Sequence, residues 1–404
     1  MPRAFIASFL GWTLDAYDYF LVVVVVPHLA DDFHHGVIEV SVAVTLTLAM
    51  RPLGALVFGW FADRYGRRVP LMVDIGLYSL FELLTAFSPN LTVLLVLRAL
   101  FGIAMGGEWG LGAALAMESL PPQRRGLYSG MLQQGYAVGY LLAALTLALL
   151  YTHIGWRGMF ALGALPALLI FYIRSRVPES PTWRAGAAPR FVPGSGAIVA
   201  ALRRYGVLFA YGMLLMAAFN FMSHGSQDPY ATFLTKQMKF SPALVGTIAA
   251  ITMVGAIVGG TFFGWLSQRI GRRATIVLSA IAGGALVPLW AFSHTAAALA
   301  IGGFLMQFMV QGAWGVMPAH LNELAPPSAR GTFPGFTYQL GNLIAAGTLQ
   351  IEATLAAHRF LAPSGPNYAM AMAFFMSLAF AAVVVMTLLG YAVTPERRDE
   401  ALAS

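Results

Sequence analysis

The 404-residue chain contains no cysteine, which excludes disulfides, thiolate nucleophiles and zinc-ribbon sites. Charge is scarce as well. Only 10% of the residues are Asp, Glu, Lys or Arg, against about 25% in a soluble globular domain. There is no Gly-x-x-x-x-Gly-Lys phosphate loop, so ATP is not the energy source. No pair of histidines stands at ligand spacing, so neither a metal nor a cofactor is expected. A cleavable leader is not expected either: the first apolar run holds Asp15 and Asp18, continues to Pro27 and reads as a retained membrane helix. What is abundant is apolar surface, with 58% hydrophobic residues and a mean hydropathy of +0.72.

A helix needs roughly 20 apolar residues to cross the hydrocarbon core. That rule predicts spans near 5–27, 38–60, 70–88, 91–117, 127–151 and 156–174, then near 206–235, 243–266, 274–292, 297–320, 332–355 and 368–392. Residues 175–205, polar and rich in Pro, Gly and Arg, read as a cytoplasmic linker between bundles at 1–174 and 206–392, with a tail at 393–404. The net charge of +7 is spread over the short loops rather than gathered for nucleic acid. With both termini inside, 18 of the 24 Lys and Arg face the cytoplasm and four face outward, while Arg51 and Arg98 fall within spans. That bias sets the expected orientation of a multi-pass cell-membrane protein.

One offset relates the two halves. Adding 205 carries GWFADRYGRR (59–68) onto GWLSQRIGRR (264–273), and Glu118, Pro121 and Arg125 onto Glu323, Pro326 and Arg330. It also aligns Trp109 with Trp314 and Gln134 with Gln339. A parallel duplication of this kind predicts an all-α membrane protein: two six-helix bundles related by a pseudo-twofold along the membrane normal, with a substrate site between them.

These residues resemble the major facilitator superfamily, whose most recognisable signature is the loop at Gly59, Asp63, Arg64, Gly66, Arg67 and Arg68. The resemblance implies a cytoplasmic gate at Asp63 and Arg64, joined by Glu118, Arg125 and Arg269; the second copy has Gln268 in place of Asp63. GWTLDAYDYF (11–20), MRPLGALVFG (50–59), GGEWG (106–110) and VPESPTW (177–183) look like proton symporters for organic acids. Residues 220–232, NFMSHGSQDPYAT, are similar to the signature of the lactate/pyruvate:proton symporters, a branch grouped with the sialate symporters. Asn220, Ser223, His224, Gly225, Ser226, Gln227, Asp228 and Thr232 match it. The departure is Ala231, where the family has proline; here the proline is Pro229.

Physical chemistry reads the same residues independently. Asn220, His224, Asp228 and Thr232 recur every four residues and form one polar stripe on a helix. Ionised groups at the bilayer centre cost roughly 2.5–3.5 kcal/mol each on insertion scales, so the stripe should face a cavity or the other bundle. Pro229 should kink the helix and free a carbonyl. Arg51 is the candidate substrate counter-ion, since a guanidinium forks onto a carboxylate and stays ionised; the alternative is a permanent pair with Asp15, Asp18 or Glu108. Asp15, Asp18, Glu108, His224 and Asp228 are the titratable candidates for proton coupling. Asp15 maps by the shift onto its neutral isostere Asn220. Tyr338, Gln339 and Asn342 lie within one turn and offer donors to a hydroxy- or keto-oxygen.

The expected function is therefore proton-coupled symport of a small monocarboxylate of the lactate/pyruvate class by a monomer, with no enzymatic activity. Its substrate-binding set is Arg51, Asn220, His224, Gln227, Tyr338, Gln339 and Asn342. The alternatives are a symporter of a larger organic acid (shikimate, sialate or a dicarboxylate) and a non-transporting membrane sensor.

Overall fold

A computed structural model describes residues 3–66, 68–118, 131–179, 197–324, 333–358 and 366–393. These residues are helical in α1 (Arg3–Asp32), α2 (Val37–Tyr65), α3 (Arg68–Ala86), α4 (Leu91–Glu118), α5 (Gly135–Leu162) and α6 (Ala167–Arg176). The second half contains α7 (Ala197–Thr232), α8 (Pro242–Ile270), α9 (Arg272–Phe292), α10 (Ala296–Leu324), α11 (Phe333–Ala345), α12 (Thr348–Ala357) and α13 (Tyr368–Val393).

Ten stretches of the described residues are long and apolar enough to cross a membrane, and twelve passes follow from two local features. The stretch 131–176 holds two passes, because the chain reverses at Gly155 (φ 60°, ψ −174°). Next to that glycine, Trp156 donates to Asp32 at the end of α1 (3.1 Å), whereas Arg174 meets Arg68 at the start of α3, at the opposite end of the bundle. The eleventh pass is interrupted between α11 and α12, leaving pieces of 13 and 10 residues. Two expectations change in detail. Helix already begins at Ala197 inside the expected linker, in the good helix-forming run AIVAALRR, and joins the membrane part of α7 at a break at Tyr205. The backbone stays helical through Pro229; the irregularity comes one turn later as a π turn at Phe233–Gln237.

The offset of 205 is built into the backbone. Shifted by 205, α2 coincides with α8, and α4 with α10 to within one residue. Both copies turn from second to third helix at a glycine of the same left-handed conformation, Gly66 (φ 90°) and Gly271 (φ 89°), a region open to glycine but strained for side chains. The Glu179 carboxylate lies where a Cβ on Gly66 would project, and it accepts from the first N–H of α3, Arg68 N (3.2 Å). Within each bundle a glycine lets the second and fourth helices touch backbone to backbone: Gly54 against the Ile103 carbonyl, and its repeat mate Gly259 against the Phe308 carbonyl. In lipid, such close approach supplies the packing that a hydrophobic force between helices does not.

The bundles meet where α5 packs on α8, where α2 packs on α11 and α12, and where α1 crosses α7. The most buried apolar window in the chain is that of α1, at 83%, and Val22 to Val26 have no exposed surface. A helix apolar on all sides belongs at a centre. Two contacts across the interface join residues to their own repeat mates: Tyr19 with His224, and Asp31 with Lys236 (2.5 Å). A twofold operation brings a residue against its own copy only near the axis, so α1 and α7 lie along it.

One ion pair is sealed inside the first bundle. Arg98 and Glu82 are both fully buried and 2.5 Å apart; Arg98 also donates to Thr85 (2.9 Å) and lies over Phe101 and Phe160. Removing one partner leaves an uncompensated buried charge, at a cost of roughly 3–5 kcal/mol. Glu82→Ala is therefore expected to lower stability in detergent by that amount in denaturant unfolding, and a paired Glu82→Leu/Arg98→Met replacement to lose distinctly less.

Candidate functional site

Between the bundles lies a hollow of about 290 Å³. The first bundle lines it with Arg51, Gln133 and Tyr136; the second lines it with Asn220, Ser223, His224, Gln311, Trp314 and Tyr338. One wall thus carries a guanidinium, and the other is polar and carries an imidazole.

Arg51 projects from α2 with 1% of its surface exposed. It makes no ion pair with Asp15, Asp18 or Glu108; Nε and Nη2 have no hydrogen-bond partner. Two aromatic rings flank the guanidinium instead, Trp12 at 5.9 Å and Tyr338 at 5.7 Å from their centroids, distances at which ring quadrupoles attract a cation. Arg51 is held in place while keeping donors for an anion.

Opposite it, the stripe on α7 turns inward. Asn220 and His224 line the hollow. His224 Nδ1 is 3.0 Å from Asp228 Oδ2, so Nε2 is the nitrogen left for the hollow. Tyr19 on α1 donates to the same Asp228 Oδ2 (3.1 Å) and lies 3.2 Å from His224 Nδ1. Asp228 and Tyr19 are fully buried. Thr232 ends the stripe, buried with its hydroxyl unpartnered.

The other expected residues divide. Tyr338 reaches the hollow. Gln227 points instead between α7 and α10, donating to Gln307 Oε1 (2.9 Å), while Gln307 donates to Ser226 (2.7 Å). Gln339 and Asn342 stand behind the wall: Gln339 donates to the Gly106 carbonyl of the other bundle (3.5 Å), and Asn342 donates to Gln339 (3.4 Å). Asp15, Asp18 and Glu108 are fully buried in the first bundle, away from the hollow's lining; no donor meets the Asp15 and Asp18 carboxylates, and the Glu108 carboxyl lies within hydrogen-bond reach of Asp74 on α3. Among the gate residues, Arg269 is exposed with its guanidinium over Trp265 (4.2 Å), and it is Arg272 that meets Glu323 (3.1 Å). Arg125 and the side chains of Asp63, Arg64 and Glu118 lie outside the described residues.

Sequence reading passed over Tyr19, Tyr136 and Gln311. The repeat contains a signal for one of them, since the 205 shift carries Tyr19 onto His224, whereas the mate of Gln311 is Gly106. Tyr136 has no such mark, because Gly341 is its mate.

Comparison with known proteins agrees with this architecture. The Major Facilitator Superfamily model matches residues 8–226, and a model described as Sugar (and other) transporter matches residues 196–390. A Saccharomyces cerevisiae protein named Carboxylic acid transporter protein homolog is 31% identical over 375 residues, which are 87% of this chain but 61% of the yeast protein. The Probable 4-methylmuconolactone transporter of Cupriavidus pinatubonensis is 30% identical over 405 residues, covering 99% of this chain and 92% of that one. The crystal structure of a D-xylose-proton symporter superposes with a TM-score of 0.78 at 17% identity over 98% of both chains, a likeness of fold. With more than half its length matched by the family model and its two bundles arranged about a central hollow, the chain belongs to the Major Facilitator Superfamily, as a multi-pass membrane protein of a transporter family.

Proposed function

We propose that the chain is a symporter that carries a small monocarboxylate of the lactate/pyruvate class together with a proton, by alternating access to the hollow between its bundles. The reading is carried by one observation: Arg51 lines the hollow without an ion-pair partner, opposite His224, whose Nδ1 lies 3.0 Å from Asp228. With His224 neutral, the empty site holds the charges of Arg51 and Asp228 and sums to zero. A bound carboxylate alone makes it −1, a proton alone makes it +1, and both together restore zero. Net charge in a low-dielectric interior costs several kcal/mol, so only the empty and the doubly loaded carrier reorient readily. That is the condition for symport.

The carboxylate docks on Arg51, and Asn220, Ser223, His224, Gln311 and Tyr338 supply polar contacts to the remaining oxygen; Gln227, Gln339 and Asn342 hold the walls. A dicarboxylate requires a second cation, and the other buried arginine, Arg98, is already held by Glu82. The yeast relative named for carboxylic acids fits the same substrate class. Asp15, Asp18 and Glu108 form a secondary reserve of proton sites within the first bundle. The arginine-rich ends, with Asp63, Arg64, Glu118, Arg125 and Arg269, form the cytoplasmic gate, and both termini lie inside, in a bacterial cell membrane.

Labelled lactate in proteoliposomes tests substrate and coupling together: an inward acid gradient is expected to drive accumulation, and uptake indifferent to the gradient, or better competed by shikimate than by pyruvate, would overturn the reading. Arg51→Lys retains the charge but loses the fork, and Arg51→Ala loses both. Loss of a desolvated charge pair costs about 2–5 kcal/mol, so Arg51→Ala is expected to raise the half-saturating lactate concentration about 30-fold or more, with Arg51→Lys intermediate. For His224→Gln we expect lactate exchange without pH dependence between pH 5.5 and 8; an unchanged pH profile would clear the histidine.

A further inference from the structure

We infer that Tyr19 is the positioning residue through which the first bundle senses the protonation state of the second, a hydrogen-bonded clasp on the pseudo-twofold axis that makes reorientation depend on the proton. The inference rests on the proton-coupled reading above and adds a residue and a mechanism to it.

The geometry is specific. Tyr19 belongs to α1, and its hydroxyl, sealed from solvent, reaches across the interface to the Oδ2 of Asp228, the same oxygen that faces His224 Nδ1. The other oxygen, Oδ1, has no donor. Two donors therefore compete for one carboxylate oxygen, one from each bundle. While His224 is neutral and a carboxylate occupies Arg51, the Asp228 charge is uncompensated, and a hydrogen bond to such a charge is roughly twice as strong as one between neutral groups. The tyrosine O–H then ties α1 to α7. When a proton enters at Nε2, the imidazolium neutralises Asp228 from within its own helix, and the bond from Tyr19 weakens. No covalent bond is made or broken, and the proton leaves from the nitrogen that received it. The carrier loaded with carboxylate alone is clasped; the proton releases it, and the empty carrier, in which Arg51 still balances Asp228, is free to return.

Position adds to the case. Tyr19 and His224 are repeat mates, and the axis passes between them, as it passes between Asp31 and Lys236 twelve residues further along the same helices. At about 1.5 Å per residue the two contacts are roughly 18 Å apart. A contact on the axis at the level of the hollow sits where both bundles pivot, so it can act in either orientation.

Other titratable or charged groups surround the clasp. They are Arg51 on α2, Tyr136 and Tyr140 on α5 and Glu352 on α12. Tyr140 donates to the Gln227 carbonyl (3.3 Å) rather than to the pair. Among these groups Tyr19 alone bonds to both His224 and Asp228.

The test is Tyr19→Phe, which removes one oxygen and keeps the ring, in full-length protein reconstituted in liposomes. One proton per carboxylate converts a one-unit pH gradient into about tenfold accumulation. Wild type is expected to approach that ratio and Tyr19→Phe to fall to about twofold, while lactate counterflow with equal pH on both sides persists and loses its pH dependence. Asp228→Asn should give the same flattened profile, and the double variant should add nothing to either, the behaviour of one coupled unit. Wild-type accumulation and an unchanged pH profile in Tyr19→Phe would overturn the clasp while leaving the symport reading intact. Wild type that ignores the gradient would bring down both. If Tyr19→Phe fails to fold, Tyr19→His, which keeps a donor on the axis, decides: restored folding with restored pH dependence supports the clasp, and restored folding with a flat profile overturns it.

Discussion

An arginine in the interior of a bilayer has no bulk water to solvate it, and it persists only with a counter-ion, an aromatic face or a wet cavity beside it. Arg98 and Arg51 satisfy that constraint in opposite ways. Arg98 is closed off by Glu82, Thr85 and two phenylalanines, and its hydrogen-bonding serves the first bundle. Arg51 has two aromatic faces and no carboxylate, in a wall that opens on the hollow. The difference between a structural cation and a binding cation is one nearby glutamate. Much of the functional reading follows from it, because an anion entering the hollow completes an interaction that the protein leaves incomplete.

The duplicated bundles supply the rest through their differences. A symmetric dimer of identical halves would put like chemistry on both walls. Here the mate of Arg51 is Ala256, the mate of Gly106 is Gln311, and the mate of Tyr19 is His224. The guanidinium therefore stands on one wall and the imidazole on the other, with the interface between them along α1 and α7. Meanwhile the glycines that set helix spacing, Gly54 with Gly259 and Gly66 with Gly271, were kept in both copies. Packing is shared and chemistry is divided, and a carrier that rocks about a central site needs both.

The fold was largely legible from the chain. Hydrophobic length located the passes, and the shift of 205 foretold that α2 and α8 would be superimposable segments. The details that escaped were local: helix beginning at Ala197 within a polar stretch and a break between α11 and α12, whereas the reversal at Gly155 falls in the gap expected between spans 127–151 and 156–174. The site was legible in part. Arg51, Asn220, His224 and Tyr338 face the hollow as their spacing and burial cost suggested. Gln227, Gln339 and Asn342 lie in supporting networks, because a four-residue period assigns a helix face but not the depth at which a neighbouring helix covers it.

Hydrophobic runs, charge bias and repeats are properties of contiguous residues, so the sequence by itself determined the number of passes, the duplication and the enclosure of its stranded charges. Which of two buried arginines meets a carboxylate and which lines the hollow, which face of α7 lines it opposite, and that Tyr19 reaches Asp228 across 209 residues of chain were decided only by tertiary packing. Each of those depends on distances between helices remote in sequence, and in an interior without solvent a single neighbouring side chain changes whether a polar group is satisfied or free.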